Sequence, residues 1–448
     1  MREHGSWPGF DAAQLEQYLA LGYVPDADGP DPLRLLARWT RRPRRDPATV
    51  SEQALVTEGV RALRAAVEQA ASAAGTRGDQ VVFLSGGLDS RTILGSLLEI
   101  FDRSEILAVT FGRPGEQDFD FAARVATVAG VRHETLGSAG VEWTTQGLVD
   151  SVLARQIPLP FPFGQRYLSY LLHARVGPDN VFWDGLCGDE AGDFRTPVAG
   201  EEWTWTAAVD EFLETQLLPD WQRLARPGFD PRSAMPSEPW FDDDTVYFYD
   251  QLEFGILARS NTGTRLLRDY TICTPFLSQA WLDFCLSLPT RYRQKAYLYQ
   301  EIQKQALPTL FSLPVTTYGG GAVLEPSFTR RSRNLRRRVV GKAGRMGVPL
   351  GPLGRAPAPA GANAAIRAAY RHPGPIRDLV ESNLADLADR GVLDWIDVAA
   401  VLPGVLAPAR YNPGRHTGVP ASDSVITRLL GLEINLKAVE QHRSRPGS

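Results

Sequence analysis

The sequence predicts an α/β protein in which helices cover both faces of a parallel β-sheet, followed by a mostly helical C-terminal region. Three observations carry this prediction. Short apolar runs that suit buried strands alternate with segments of helical periodicity between residues 81 and 183. Glycine- and aspartate-bearing segments directly follow two of these runs, as expected where ligands meet the carboxyl ends of parallel strands. Beyond about residue 200 the pattern becomes mostly helical and rich in aromatic residues.

Two helical patterns precede the first predicted strand. A short one spans residues 11–22, and the residues after it are rich in Pro, Asp and Arg, which favours loop structure. Residues 1–48 are therefore predicted to be a small N-terminal extension. A longer amphipathic helix is predicted over residues 51–74, because apolar residues recur there at helical spacing.

The alternation itself defines the predicted sheet. The apolar runs predict strands at residues 81–84, 106–111, 131–136 and 181–183, and the intervening periodicity predicts helices at 90–100 and 118–129. Later in the chain, residues 317–322 (TYGGGA) are predicted to be a flexible break, and residues 351–363 are rich in Pro, Gly and Ala, as in a linker or mobile loop.

Residues 329–345 form a strongly basic segment without a single acidic residue. Most runs of this kind are solvated surface. The alternative is a lid or docking surface for an anionic substrate, a carrier or a leader peptide.

The composition limits the classes of function. The chain has 448 residues, 43% hydrophobic and 22% charged, which fits a globular protein of two to three packed units. Its formal net charge of -4 gives the whole chain no attraction to nucleic acid or to an anionic membrane. Three scattered cysteines, Cys187, Cys273 and Cys285, argue against a disulfide framework and a zinc site. The first residues lack an apolar signal segment, and no run of 18 apolar residues occurs, so a cytoplasmic location is expected.

The strongest motif joins the first predicted strand to the helix after it. The sequence Ser-Gly-Gly-Leu-Asp-Ser occupies residues 85–90. Two glycines let the backbone approach a ligand closely, and the N–H groups at the start of a helix attract an anion. The sequence is neither a Walker A loop nor a GxGxxG fingerprint.

Asp89 is the informative residue of this motif. A carboxylate in a phosphate-binding loop repels phosphate unless a cation lies between them, and Mg²⁺ bridging carboxylate and phosphate oxygens removes that conflict. The alternative is that Asp89 or Ser90 only caps the helix.

A second motif follows the predicted strand at residues 181–183. Residues 184–190 are Asp-Gly-Leu-Cys-Gly-Asp-Glu, and this segment could bring a second carboxylate to the same metal ion. Considered alone, such a cluster of Gly and Asp is equally typical of a turn.

Together, SGGLDS and DGLCGDE resemble the synthetase domain of the asparagine synthetase family, within the pyrophosphate-loop ATP pyrophosphatases. That group also includes the β-lactam synthetases and the lasso-peptide cyclases. Further similar segments are Thr-Phe-Gly at residues 110–112, Thr-Pro-Phe-Leu at 274–277, and Leu-Pro at 288–289 with Lys295 downstream. The resemblance covers roughly residues 50–310 and implies a five-stranded sheet of the adenine nucleotide alpha hydrolase type. Residues 18–25 (YLALGYVP) look like the end of a lost glutaminase domain. The implied domains are 1–48, 49–310 and 311–448.

The resemblance also implies a ligand set of ATP and Mg²⁺. The pyrophosphate portion of ATP would be held by Ser85, Gly86, Gly87, Asp89 and Ser90. The adenosine and α-phosphate would be surrounded by Leu84, Phe111, Asp184 and Gly185. Asp89 and Asp189 would bind magnesium. Lys295 would stabilise negative charge during acyl transfer, a role that suits the compact charge of an ammonium group.

Several positions depart from the family pattern. Family members with a glutaminase domain begin the mature chain with a nucleophilic cysteine, whereas no cysteine precedes Cys187 here, so glutamine is not expected to be the nitrogen donor. Leu186 stands where the family usually has Glu or Tyr, which leaves the general base unassigned. Ser278 and Cys273 replace an Asp and an Arg, which suggests a substrate other than aspartate.

The resemblance implies an enzyme that adenylates a carboxylate with ATP and passes the acyl group to ammonia or an amine, in natural-product biosynthesis. A lasso-type peptide macrocyclase is the alternative within the family. Outside it, the alternatives are an RNA-modifying pyrophosphate-loop enzyme, which the charge and the cysteines disfavour, and a non-catalytic scaffold that binds nucleotide.

Overall fold

The computed structural model describes residues 9–25, 45–46, 48–75, 77–112, 114–137, 141–155, 165–188, 203–218, 220–317, 321–324, 369–399 and 421–444. Three features predicted from the sequence lie outside these residues, namely Asp189, the basic segment 329–345 and the linker 351–363.

Five strands form one parallel sheet. In chain order they are β1 (Gln80–Phe83), β2 (Ile106–Phe111), β3 (Arg132–Leu136), β4 (Val181–Trp183) and β5 (Thr271–Cys273). Their order across the sheet is β3-β2-β1-β4-β5, and every neighbouring pair is parallel. The predicted α/β class is confirmed. So are the four strands derived from apolar runs, whereas those runs gave no sign of β5.

The order of the strands locates a ligand site. From β1 the sheet grows through β2 to β3, and the chain then returns to the other side of β1 to add β4 and β5. The carboxyl ends of β1 and β4 therefore border the position at which the order reverses. In open α/β sheets, ligands bind in the crevice at that position.

Helices account for most of the remaining described chain. They are α1 (Ala12–Leu21), α2 (Glu52–Ala74), α3 (Asp89–Leu97), α4 (Gln117–Ala129), α5 (Thr145–Leu153), α6 (Gln165–Val176), α7 (Trp205–Gln216), α8 (Phe248–Leu252), α9 (Ala258–Arg265), α10 (Gln279–Leu286), α11 (Thr290–Arg293), α12 (Tyr297–Ala306), α13 (Pro308–Phe311), α14 (Pro375–Arg390) and α15 (Ala421–Arg443). A π-helical turn, Glu253–Leu257, joins α8 to α9. A two-stranded antiparallel hairpin, β6 (Pro314–Val315) and β7 (Gly321–Ala322), follows α13.

Side chains on the two faces of the sheet enter different hydrophobic clusters, since successive strand residues point to opposite sides. Val82 and Trp183 pack with α2, α3 and α10 on one face. Val81 and Phe182 pack with Leu172 of α6 on the other. Both faces are therefore covered, as the apolar character of β1 and β4 requires.

The first and last described helices meet in a further cluster. Tyr18 and Leu19 of α1 pack in it with Leu429 and Leu430 of α15, together with residues of α5 and α14. Asp11 caps α1 at its start, and Gly22 ends it in the left-handed conformation with φ of 85°. Among the helices of the described chain, none is long and apolar enough to cross a membrane.

Candidate functional site

A cavity of about 370 Å³ lies at the carboxyl ends of β1, β2 and β4, where the strand order reverses. Both motifs identified in the sequence contribute to its wall. Of the residues that the family resemblance assigns to ATP, those lining the cavity are Leu84, Ser85, Gly87, Asp89, Ser90, Phe111, Asp184 and Gly185.

The loop after β1 is closed by its own hydroxyl groups. The backbone N–H of Ser85 donates to Ser90 Oγ at 3.0 Å, and the N–H of Gly87 donates to Ser85 Oγ at 3.2 Å. Helix α3 then starts at Asp89. Leu88 is the N-cap residue, and no side-chain hydrogen bond caps the helix among the described residues. The N-terminus of a helix attracts an anion, because backbone N–H groups point out of its first turn.

Gly86 shows why this loop needs glycine. A Cβ atom at this position would lie 2.6 Å from Thr316 Cγ2 and 2.9 Å from Asp118 Oδ1. The carbonyl of Gly86 accepts a hydrogen bond from the N–H of Thr316 at 3.0 Å. The loop is therefore enclosed by the start of α4 on one side and by the segment after β6 on the other.

Asp89 does not cap α3. Its Oδ1 accepts a 2.8 Å hydrogen bond from the hydroxyl of Tyr299, a buried residue of α12. Burial, followed by the charge of Asp89, raises the pKa of Tyr299 well above its ordinary value, so the hydroxyl keeps its proton and acts as the donor. The carboxylate of Asp89 is half-buried and lines the cavity.

The second motif packs directly on the first. A Cβ atom on Gly188 would lie 2.5 Å from Asp89 Oδ1 and 2.6 Å from its Cγ. Only glycine permits this approach, which places the segment after β4 against the carboxylate at the start of α3. The neighbouring Cys187 adopts a left-handed conformation with φ of 64°. The structure thus brings the two motifs together as the strand pattern predicted.

Three arginines give part of the cavity a positive character. They are Arg155, Arg166 and Arg265. Arg265 Nη1 donates to both carboxylate oxygens of Asp184, at 2.8 and 2.9 Å. Asp184 Oδ1 also accepts from the N–H of Leu186 at 2.9 Å, which fixes the turn after β4.

Arg155 is engaged by the backbone around it. It donates to the carbonyls of Thr264 and Arg166, each at 2.7 Å, and to that of Ser151. The pKa of both Arg155 and Arg166 is lowered to about 9, mainly by burial, and for Arg166 the charges of Arg265 and Arg155 contribute to the same shift. Both groups remain charged at neutral pH.

Carboxylates lie beside the loop after β1. Besides Asp89, Glu116 and Asp118 line the cavity near the start of α4. Within the described residues, no group of three or more His, Cys, Asp or Glu side chains is arranged to hold a metal ion by itself. An ion that takes one or two carboxylates and completes its coordination with phosphate oxygens and water fits this donor set, and Mg²⁺ has that behaviour.

Lys295 lies in an exposed turn immediately before α12 and is not among the described residues that line the cavity. The turn is unusual in its backbone, because Lys295 and Ala296 both have positive φ, at 57° and 52°. Gln300 Nε2 donates to the carbonyl of Lys295 at 2.8 Å and holds the turn on the helix.

The positions that depart from the family pattern have structural contacts of their own. Leu186 is buried and lines the cavity with an apolar side chain. Ser278 caps α10 by accepting from the N–H of Trp281 at 3.3 Å. Burial raises the pKa of Cys273 to about 12, so its thiol remains neutral. Nearby, His133 Nε2 of β3 lies 2.9 Å from Thr110 Oγ1 of the neighbouring strand β2.

The sequence did not single out several residues of this site. They are Arg155, Arg166, Arg265, Glu116, Asp118 and Tyr299. Each belongs to a helix or loop outside the two motifs, and its contribution depends on tertiary contacts. Asp118 had one local signal, since it begins the helix predicted over residues 118–129.

Comparison with protein-family models matches residues 60–191 to the model described as asparagine synthase. The matched segment begins in α2, contains β1 to β4 and ends just after the second motif. It therefore includes both loops that meet at Asp89 but not β5, Tyr299 or Lys295. Among curated proteins, the comparison finds no match to the chain.

Proposed function

We propose that this chain adenylates a carboxylate and transfers the acyl group to an amine or ammonia. The premise is the match of residues 60–191 to the asparagine synthase family model, because members of that family are ATP-dependent amide-forming synthetases. The single observation that carries the proposal is the contact of the two motifs at Asp89. Gly188 lies against the Asp89 carboxylate in the wall of a cavity at the point where strand order reverses.

In this proposal the nucleotide lies across the carboxyl ends of β1 and β4. The loop from Ser85 to Ser90 and the N-terminus of α3 hold the pyrophosphate portion. The adenosine and α-phosphate lie by Leu84, Phe111, Asp184 and Gly185. Support comes from the shared cavity and from the uncapped N-terminus of α3, which attracts an anion.

Asp89 is proposed as a magnesium ligand, with Asp189 as the second carboxylate. Asp189 follows Gly188, which lies against Asp89, although Asp189 itself is outside the described residues. Bound magnesium would neutralise phosphate charge and so favour loss of pyrophosphate. The protein's own part is to fix the carboxylate of Asp89 beside the loop.

The reaction proceeds in two steps. An oxygen of the substrate carboxylate attacks the α-phosphorus of ATP, forming the acyl-adenylate and breaking the bond to pyrophosphate. The nitrogen nucleophile then attacks the acyl carbon, the amide bond forms, the bond from the acyl carbon to the phosphate oxygen of AMP breaks, and the nitrogen loses a proton. Lys295 is proposed to stabilise negative charge during this transfer. A leucine cannot accept a proton, so position 186 does not supply the general base.

The substrate is proposed to be a carboxylic acid other than aspartate, in natural-product biosynthesis. Ser278 and Cys273 support this, because a helix cap and a neutral buried thiol stand where the resemblance expects charged side chains. A lasso-type peptide macrocyclase remains the alternative within the family, with a leader peptide or carrier docking on residues 329–345.

The test is an assay of purified protein with a panel of carboxylic acids, hydroxylamine and ATP. We expect AMP and pyrophosphate in equal amounts, dependent on the acid and on magnesium. Formation of ADP and phosphate would contradict adenylation. Nucleotide binding without turnover for any acid would indicate a scaffold, and turnover that needs RNA would indicate base modification.

The Asp89→Asn variant tests the site within the same assay. Losing the carboxylate at the leaving group should lower acid-dependent pyrophosphate release by about 10³-fold or more. Asp179→Asn, at an exposed position before β4, is the matched control and should behave as the wild type. Near wild-type release by Asp89→Asn would contradict the proposed metal site.

A further inference from the structure

Helix α12 contacts Asp89, at the end of the loop after β1, through a buried side chain. The hydroxyl of Tyr299 donates to Asp89 Oδ1 at 2.8 Å, and Tyr299 is only 3% exposed. We propose that Tyr299 is a positioning residue: it orients the Asp89 carboxylate for binding of the magnesium–nucleotide complex and couples that carboxylate to the turn carrying Lys295. This inference rests on the proposed function.

The orientation of Asp89 is constrained from two sides. Tyr299 donates to Oδ1, and the backbone of Gly188 closes on the same carboxylate so tightly that a Cβ atom would overlap it. A carboxylate at the start of a helix can otherwise rotate about its side-chain bonds. Hydrogen bonds to a metal-binding carboxylate are known to fix its direction and to affect metal affinity.

The contact of Tyr299 with Asp89 is one of two adjacent polar contacts between α12 and α3. Tyr299 and Gln303 are four residues apart on α12, and Asp89 and Thr92 are three residues apart on α3, so each pair shares one helical face. Gln303 Nε2 donates to Thr92 Oγ1 at 3.0 Å, and both residues are fully buried. The two helices are thereby held in register beside the loop.

The same helix reaches the lysine. Lys295 lies two residues before the start of α12, and Gln300, next to Tyr299 in the sequence, donates to the Lys295 carbonyl at 2.8 Å. One rigid element therefore carries the donor to Asp89 at one position and the anchor of the Lys295 turn at the next. A displacement of α12 would move both.

A purely structural role for Tyr299 is the alternative, and the chain provides a matched control. Tyr297, two residues earlier, donates to Glu52 Oε1 at the same distance of 2.8 Å, but Tyr297 is 40% exposed and its partner Glu52 does not line the cavity, whereas Asp89 does. Tyr297→Phe removes a hydroxyl–carboxylate bond from the same helix without affecting Asp89.

The experiment is calorimetric titration of Tyr299→Phe and Tyr297→Phe with the non-cleavable analogue α,β-methylene-ATP in the presence of Mg²⁺. We expect Tyr299→Phe to bind the analogue about 10- to 100-fold more weakly than the wild type, the range for loss of a hydrogen-bond partner of a metal ligand. Tyr297→Phe should bind as the wild type does. Thermal denaturation checks that each variant is folded. If Tyr299→Phe does not fold, Tyr299→Met, which also lacks the hydroxyl donor, replaces it.

A double-mutant cycle with Asp89→Asn separates positioning from general stability. If Tyr299 acts through Asp89, Tyr299→Phe should weaken binding in the wild-type background but hardly at all in the Asp89→Asn background. Equal losses in the two backgrounds, or unchanged binding by Tyr299→Phe, would overturn the inference. Failure of the wild type to bind the analogue would instead refute the proposed function, and the inference with it.

Discussion

Lys295 has a backbone conformation that residues other than glycine rarely adopt. Its φ of 57° is followed by 52° at Ala296, so two consecutive residues occupy the left-handed region. Each such residue costs roughly 1 kcal/mol or more and persists only where surrounding contacts determine it. Here the contacts are the buried Arg293 before the turn and Gln300 after it. A strained turn that presents an exposed lysine next to α12 favours a functional role for Lys295.

We expect Lys295→Ala to impair turnover without impairing nucleotide binding. The affinity for α,β-methylene-ATP should stay within a few-fold of wild type, while the acid-dependent formation of AMP should fall by roughly 10²-fold or more, the scale for loss of one charge-stabilising group. Calorimetry and the hydroxamate assay measure the two quantities.

Lys304 provides the control for that substitution. It lies nine residues further on, at the end of α12, and pairs with Glu301 at 2.6 Å on the surface. Lys304→Ala should therefore leave both quantities unchanged. Weak binding with intact turnover in Lys295→Ala would make Lys295 a ground-state phosphate ligand. An effect confined to Lys304→Ala would move the catalytic role to that residue.

At the residue scale, the sequence could predict what is encoded locally. Ser85, Gly86 and Asp89 follow a strand within one motif, and two adjacent glycines directly after a strand indicate that the backbone is closely approached there. Arg155 could not be found in this way, because its place in the site depends on packing against α9, where it donates to the carbonyl of Thr264, 109 residues further along the chain. Tyr299 likewise becomes relevant to Asp89 only when two helices pack.

At the scale of elements, a buried ion pair joins α8 to α11. Arg293 donates to both carboxylate oxygens of Asp250, at 2.6 and 3.0 Å, and both side chains are essentially inaccessible to solvent. Burial tends to lower the pKa of Arg293, but the charge of Asp250 and its hydrogen bond raise it overall. Because Arg293 is the last residue of α11 and lies two residues before Lys295, its ion pair with Asp250 also anchors the strained turn.

Breaking this pair should be strongly destabilising. Asp250→Asn removes the negative charge that both Arg293 nitrogens contact inside the protein, at a cost of about 3–5 kcal/mol in the free energy of unfolding. Urea denaturation measures the loss. Asp210→Asn is the control, since Asp210 pairs at 2.6 Å with Arg232 on the surface and its loss should cost less than about 1 kcal/mol. Losses of similar size in the two variants would contradict a dominant role for burial.

The elements differ in how far sequence could locate them. Strands β2 and β4 have the predicted bounds, because each is a continuous apolar run with polar or glycine-rich flanks. Strand β5 has only three residues, Thr271–Cys273, and two of these are partly exposed. It is a strand because it pairs with β4, as Thr271 does with Val181. That pairing depends on the tertiary structure, and the local sequence of β5 contains no pattern that predicts it.

At the scale of the whole molecule, the sheet encloses an ionisable group in apolar surroundings. His173 of α6 lies between the rings of Phe83, Phe182 and Tyr270, with centroid distances of 4.8, 4.2 and 5.2 Å. Its side chain is 2% exposed. Burial is the main cause that lowers its pKa to about 4, and the positive charge of Arg155 adds to the shift. The hydrogen bond to the Ser169 carbonyl and the charge of Asp184 oppose it.

This histidine should make global stability depend on pH. In the unfolded chain its pKa returns to about 6.5, so between pH 6.5 and 4 the unfolded state binds a proton that the folded state does not. The contribution of neutral His173 to stability is therefore complete above pH 6.5 and is lost as the pH falls, by about 3 kcal/mol over that window.

The variant His173→Phe tests this dependence, because it keeps a ring in the stack but cannot bind a proton. The difference in unfolding free energy between wild type and His173→Phe should thus shift in favour of the variant by about 2 kcal/mol from pH 7 to pH 5, measured by urea denaturation. His372→Phe, at an exposed position, should follow the wild type at both pH values. An equal change in unfolding free energy from pH 7 to pH 5 in His173→Phe and the wild type would contradict this prediction. It would mean that the aromatic stack accepts a protonated His173 without loss of stability, although the apolar rings and the nearby Arg155 oppose that charge.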